Sequence, residues 1–330
     1  MIQASSNLEA ISRLSQPLKP NTLIERIVRK IYKEEIPGSE HFESYIRHKW
    51  RINRKPNTLN GSFQAIRGFL TFYRSLGKSR LQDIVSDDLE RFVEYQQDRG
   101  LSVATVVMRL KSLWAFLRYL IEQDIIDASI LKRKIRLRAP DFLPRAIAPE
   151  DIRKFLSVIE DIRNRALILV LLRTGMRIGE LLELKVMDLD IRERKIHIYE
   201  GEKNSLGRVV YLSDDVLMAL KLWLNKRDQK KEYLFYGRNK LCYTAARKIF
   251  VRYLKKAELQ HKGYTVHCLR HTFASELLNA GMRLECLQLL LGHRGIEMTR
   301  RYARLTDKSR EEEYFRAMMI IEQGGIHGAY

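Results

Sequence analysis

Apolar residues recur at helical spacing along most of this chain. Leu23-Ile24, Ile27-Val28 and Ile31 place one apolar stripe on a helix that Ile36-Pro37-Gly38-Ser39 must end. From Phe42 to about Ile126 the same period continues. It breaks only at Lys55-Pro56-Asn57, Leu76-Gly77 and Arg99-Gly100-Leu101-Ser102, where proline, glycine and serine punctuate helices. One pattern inside this stretch occurs twice. Thr58-Leu59, Phe63, Ile66, Phe69-Leu70 and Tyr73 return 47 residues later as Thr105-Val106, Leu110, Leu113, Phe116-Leu117 and Leu120. Arg67 and Arg74 back the first apolar face; Arg109, Lys111 and Arg118 back the second. Both read as core helices with charged backs, and two copies are too few for a solenoid, which needs about three or more.

Beyond Ile126 the pattern changes. Lys132, Arg133, Lys134, Arg136 and Arg138 crowd one short run, and Pro140, Pro144 and Pro149 follow. That composition predicts an extended basic linker able to track phosphates. From Pro149 the helical period resumes, with one exception. Arg194 to Tyr199 and Arg208 to Leu212 alternate with period two, and the polar stretch from Glu200 to Gly207 joins them, so a β-hairpin or the edge of a small sheet is expected. The expected fold is therefore mainly α with a small β-hairpin or sheet. An N-terminal extension (1–36) precedes an all-helical domain (37–130), a basic linker (131–148), an α+β domain (149–309) and a C-terminal tail (310–330). In the tail, Tyr314, Phe315, Met318, Met319 and Ile321 form an amphipathic face too short to have a core of its own, which must pack in cis or on a neighbour.

Charge narrows the partner. Sixty Lys and Arg against forty Asp and Glu give a net charge of +20, which favours a polyanion, because each phosphate contact releases condensed counterions. A membrane partner is weaker: the longest apolar run, Ala166 to Leu172, falls far short of the roughly 20 residues of a spanning helix. No basic region followed by an apolar stretch opens the chain, so export is not expected. Cys242, Cys268 and Cys286 form no C-x-x-C pair and suit a reducing cytoplasm. Cys268 and Cys286 lie near His267, His271 and His293 in sequence, but at spacings that match no zinc finger, so no metal is expected.

Several short motifs carry candidate chemistry. Thr174-Gly175 stops an apolar helix and sets Arg177 at the opening of the next, in Thr174-Gly175-Met176-Arg177-Ile178-Gly179-Glu180-Leu181, with Gly175 suited to a left-handed position. Val266-His267-Cys268-Leu269-Arg270-His271 puts His267 and Arg270 on one helix face if the segment is helical. Leu290-Leu291-Gly292-His293 is followed nine residues later by Tyr302, with Arg300, Arg301 and Arg304 around it. A tyrosine hydroxyl has a pKa near 10 and needs help to attack; two guanidinium forks match the non-bridging oxygens of a phosphodiester and supply it.

Arg177, Lys203 on the hairpin, His267, Arg270, His293 and Tyr302 stand in the order of the tyrosine recombinases, the phage integrase family that includes the Xer recombinases. The resemblance covers nearly the whole chain from about residue 40 and is Xer-like. It implies that the helical segments around Asn57 and Ser102 form that family's core-binding domain, and that Tyr302 attacks DNA to leave a 3′-phosphotyrosine and a free 5′-hydroxyl. Arg177 and Arg270 would clamp the phosphate, Lys203 would protonate the leaving oxygen, His267 would move a proton at the nucleophile and His293 would hydrogen-bond the phosphate. One phosphoester replaces another, so no nucleotide or other cofactor is expected, and no Walker A motif is present.

The hairpin departs from the family's G-K-G-x-K-x-R. Aligning Arg208 with the family's arginine puts Lys203 on its first lysine, while Asn204 replaces a glycine and Leu206 the second lysine. The implied partners are double-stranded DNA with a specific recombination site and three further protomers, identical or related, in a ring. Two rivals share the composition: a type IB topoisomerase-like enzyme that relaxes supercoils, and a non-catalytic DNA-binding protein. Within the family, the first 36 residues are short for a separate arm-binding domain, which suits a Xer-like resolvase or the recombinase of a mobile element.

Overall fold

The computed structural model describes residues 22–34, 36–132, 135–138, 144–199, 207–293, 295 and 298–300. The chain divides near residue 141 into two compact units.

The first unit is helical among its described residues. Helix α1 (Leu23–Lys33) starts where Thr22 accepts a hydrogen bond from the Glu25 amide, and it buries Ile24, Ile27 and Ile31. These are the stripe positions expected from the sequence. Helix α2 (Ser39–Arg51) follows, then α3 (Pro56–Ser75), with its proline in the first turn, where no amide partner is lost. Helix α4 (Ser86–Asp98) leads to α5 (Val103–Glu122), whose Ser102 cap accepts from the Thr105 amide.

The twice-used apolar pattern has a simple reason. Its two copies are α3 and α5, and they pack against one another. Phe42 of α2 joins both, 5.9 Å from the Phe63 ring and 6.0 Å from Phe116. Ile24, Ile27 and Ile31 belong to the same core. The described part of the N-terminal extension is thus built into the helical unit: an isoleucine stripe of that size is stable only when covered.

The basic stretch is held more firmly than its composition suggests. Ile135 and Leu137 are half-buried against the helical unit, while Arg136 and Arg138 between and after them are exposed. Apolar and cationic residues alternate, so an extended backbone turns one set inward and the other to solvent. Past the second gap, Ile147 is buried in the core of the other unit, and its amide donates to Thr272 Oγ1 at 2.8 Å.

The second unit is built on α7 (Ile162–Thr174). Every residue from Ala166 to Leu172 is buried, because α9 (Asp214–Lys226) and α11 (Val266–Asn279) both pack on α7. Helices α6 (Pro149–Ser157), α8 (Ile178–Glu183), α10 (Tyr243–Lys256) and α12 (Leu284–Leu291) complete the helical part. The expected strands are β2 (Lys195–Ile198) and β3 (Arg208–Tyr211), antiparallel with Ile196 opposite Val210. Strand β1 (Leu189–Asp190) adds a third to the sheet. Two residues are too few for their alternation to be seen in the sequence. Ile196, Ile198 and Val210 point into the core.

Candidate active site

Three chain segments converge where β3, α8 and the ends of α7, α11 and α12 meet. The first is the glycine turn. Helix α7 ends at Gly175 with φ +60°, and a Cβ built there would lie 2.2 Å from Phe273 Cδ1, so only glycine fits. The turn delivers Arg177 to the start of α8. There the Arg177 amide donates to Glu180 Oε2 at 2.7 Å and its guanidinium to Glu180 Oε1 at 2.9 Å.

The second segment is α11, which carries His267, Arg270 and His271. It is helical, as the shared face of His267 and Arg270 requires. Arg270 is buried, and its guanidinium ties the site together. One nitrogen donates to Gly175 O at 2.5 Å; the other lies 2.7 Å from Leu291 O and 3.0 Å from His293 Nε2. His267 is exposed, with its ring edge-on to His271 at 4.6 Å.

The third segment is the end of α12. Gly292 caps the helix at φ +61° and turns the chain so that His293 points back. Arg177 donates to Gly292 O at 3.1 Å, and Arg208 donates to Leu290 O at 2.8 Å. Three consecutive carbonyls that α12 leaves without helical partners (Leu290, Leu291 and Gly292) thus each accept from a different guanidinium.

Electrostatics at this point are set by cations. Burial first, then the charges of Arg270, Arg177 and Arg208, push the His293 imidazole down to about 3, so it is neutral at physiological pH. Glu180 is the only carboxylate hydrogen-bonded to these arginines among the described residues. Burial works against its charge. Hydrogen bonds and charge from Arg208, with the Arg177 amide and guanidinium, overcome that and hold the carboxyl below its ordinary range. Among the described residues, three guanidiniums stand against this one carboxylate, a cationic environment that suits an oxyanion.

Of the six candidate catalytic residues, Arg177, Arg270 and His293 are brought together here, and His267 lies on the same helix as Arg270. Lys203 and Tyr302 lie outside the described residues, as do Arg133, Lys134 and the C-terminal tail. Lys132, Arg136 and Arg138 are exposed. Sequence reasoning gave no role to three residues that build the site. Glu180 stands three residues after Arg177, the spacing of a capping box, which was a legible sign. Arg208 served only to align the hairpin, yet it is the main partner of Glu180. Thr299 is fully buried, with its hydroxyl 2.8 Å from His293 Nδ1; a threonine in a polar run carries no sign of that. Among the described residues no three His, Cys, Asp or Glu side chains are grouped to hold a metal ion, and no helix is long and apolar enough to cross a membrane.

Comparison with known proteins bears on the same region. The model of the phage integrase family matches residues 145–309. The tyrosine recombinase XerA of Pyrococcus horikoshii is 25% identical over 293 residues, 87% of this chain and 97% of that relative. XerA of Pyrococcus furiosus is 29% identical over 240 residues, 71% of this chain and 81% of the relative. Among solved structures, the Tn1549 transposon integrase in complex with a circular-intermediate DNA is similar with a TM-score of 0.71 and 26% identity, over 85% of this chain and 99% of that one.

Proposed function

The chain belongs to the phage integrase family and is a Xer-like, site-specific tyrosine recombinase, and from that premise we propose how its residues share the work. Its substrate is double-stranded DNA bearing a specific recombination site. Arg177 and Arg270 hold the scissile phosphate and stabilise the charge that gathers on its non-bridging oxygens. The Tyr302 oxygen attacks phosphorus, the bond to the 5′-oxygen breaks, and a 3′-phosphotyrosine forms. Lys203 gives the departing 5′-oxygen its proton, and His267 assists proton movement at the nucleophile. A 5′-hydroxyl from another strand then attacks the phosphotyrosine and frees Tyr302. Each step exchanges one phosphoester for another, so no nucleotide is consumed.

The observation that supports this reading best is the convergence of Arg177 and Arg270 on the carbonyls beside His293. Two guanidiniums fixed by backbone acceptors are preorganised, which is what charge stabilisation requires. The recombinase relatives favour strand exchange over simple relaxation of supercoils. We further propose that the helical unit grips the duplex, that Lys132, Arg133, Lys134, Arg136 and Arg138 follow its phosphates, and that four protomers act together in the cytoplasm on two duplexes.

Nicked duplexes carrying candidate sites from DNA flanking the gene test the chemistry. A covalent adduct that survives denaturing electrophoresis is expected with the wild type and not with Tyr302→Phe. An adduct that persists in Tyr302→Phe would remove Tyr302 from the mechanism. Lys203→Ala is expected to slow cleavage of an ordinary strand but not of one with a 5′-bridging sulfur, whose thiolate leaves without a proton.

A further inference from the structure

His293 sits between two partners of different kinds. On one side, Nε2 lies 3.0 Å from an Arg270 guanidinium nitrogen. A guanidinium only donates, so Nε2 must present its lone pair. The ring is neutral and carries one proton, which is therefore on Nδ1, 2.8 Å from Thr299 Oγ1. Without substrate, the Thr299 hydroxyl accepts.

That arrangement is the wrong one for a phosphate. When a phosphate oxygen takes up Arg270, Nε2 faces an anion and can hydrogen-bond it only by carrying the proton. A full second protonation is opposed by burial and by Arg270, Arg177 and Arg208 around the ring. The alternative is to change tautomer: Nδ1 gives its proton to water and Nε2 takes one from water, so the ring stays neutral. Nδ1 is then a bare acceptor in a buried place, which is costly unless a donor meets it. A threonine hydroxyl can be that donor, because it rotates between accepting and donating without moving its oxygen. A backbone amide or carbonyl in its place would lock one tautomer.

We propose that Thr299 is a positioning residue whose hydroxyl partners His293 in both tautomers, so that the imidazole can turn from accepting from Arg270 to donating to the scissile phosphate. Thr299 lies three residues before Tyr302 and is fully buried, so the same contact ties His293 to the segment that leads to the nucleophile. The role in substrate binding rests on the recombinase reading; the tautomer in the free protein does not.

The test uses the full chain with 15N-labelled histidine, and His293→Gln assigns the signal. In the free wild type, long-range imidazole spectra are expected to show the proton of His293 on Nδ1. With a nicked duplex bound, the proton is expected on Nε2. Thr299→Val keeps the shape and removes the hydroxyl. It is expected to bind the duplex within about two-fold of wild type and to form the covalent adduct about ten-fold more slowly, the size of one hydrogen bond lost at a transition state. Thr299→Ser is expected to recover most of the rate. A proton on Nε2 in the free protein, a proton that stays on Nδ1 with DNA bound, or a wild-type rate in Thr299→Val would each overturn the proposal. If Thr299→Val does not fold, the tautomer in the free wild type and the rate of Thr299→Ser still decide it. Absence of an adduct in every variant, wild type included, would instead strike the recombinase reading.

Discussion

Arg208 and Glu180 face each other fork to fork: Nη1 donates to Oε1 at 2.9 Å and Nη2 to Oε2 at 2.6 Å, with side chains 8% and 0% exposed. The pair joins β3 to the start of α8. Because the third nitrogen of Arg208 donates to Leu290 O, it also holds the end of α12 beside His293. Strand β3 and the turn that carries His293 are therefore held together by one side chain.

Breaking this pair leaves buried charge without compensation. Removing one partner of a buried ion pair costs about 3–5 kcal/mol, much more than a surface pair. Glu180→Ala is expected to destabilise the second unit by about that amount, read from urea unfolding followed by hydrogen exchange in α7. The pH dependence has a definite sign. The Glu180 carboxyl is lowered in the folded state from an ordinary 4.5, so its stabilisation is complete above 4.5 and is lost as pH falls through the lower folded value. Glu180→Gln should lack this acid limb, and a limb that survives in Glu180→Gln would assign it elsewhere.

How much could be read from the sequence depended on what each feature needs. The helices of the first unit were legible because their stripes are regular: Phe63, Ile66, Phe69 and Tyr73 recur at helical spacing, and Pro56 and Ser102 mark their starts. The turn at Gly175 was legible because a left-handed residue between two helices has few solutions other than glycine. Thr299 and Arg208 were not. Their roles come from residues brought next to them by folding, 6 and 28 positions away in sequence, and no local pattern records such a meeting. The packed ends of the basic stretch were hidden for another reason: five cations dominate its composition, while Ile135 and Leu137 decide where it lies.

Gly175 offers a sharper test of the site's geometry than any charged residue. Alanine there would combine a left-handed backbone with a Cβ 2.2 Å from the Phe273 ring. Strain and overpacking together cost roughly 2–4 kcal/mol. The carbonyl of Gly175 accepts from Arg270, and Arg177 follows two residues later, so relief of the clash displaces both guanidiniums. Gly175→Ala is expected to cut the single-turnover cleavage rate by more than ten-fold while DNA affinity changes little. A rate equal to wild type would show that the turn does not set the clamp.

His293 makes a separate pH prediction. Its folded value of about 3 lies below the ordinary 6.5, so between these values the unfolded chain binds the proton that the folded chain refuses. Stability from this group is therefore complete above 6.5 and declines as pH falls toward 3. That window begins well above the one for Glu180, so the two can be told apart. His293→Gln should flatten the fall in stability between pH 7.5 and pH 5, measured by urea midpoints. In the free enzyme, kcat/KM for cleavage should show no limb from His293 between pH 5 and pH 8. A limb in that range that disappears in His293→Gln would mean the imidazole titrates there after all.

The exposed cations of the basic stretch can be separated from its packing. Arg136 and Arg138 face solvent while Ile135 and Leu137 are half-buried, so changing the arginines to alanine removes charge without opening a core. If both arginines touch phosphates, each loss should lower the slope of log affinity against log salt by about 0.9. The double variant Arg136→Ala, Arg138→Ala is expected to weaken binding to recombination-site and unrelated duplexes alike, because a phosphate contact carries no base information. The unfolding midpoint should stay within about 0.5 kcal/mol of wild type. Titrations by fluorescence anisotropy between 50 and 200 mM salt give the slopes. An unchanged slope would show that these arginines make no phosphate contact, and a loss confined to the specific site would mean that they read bases.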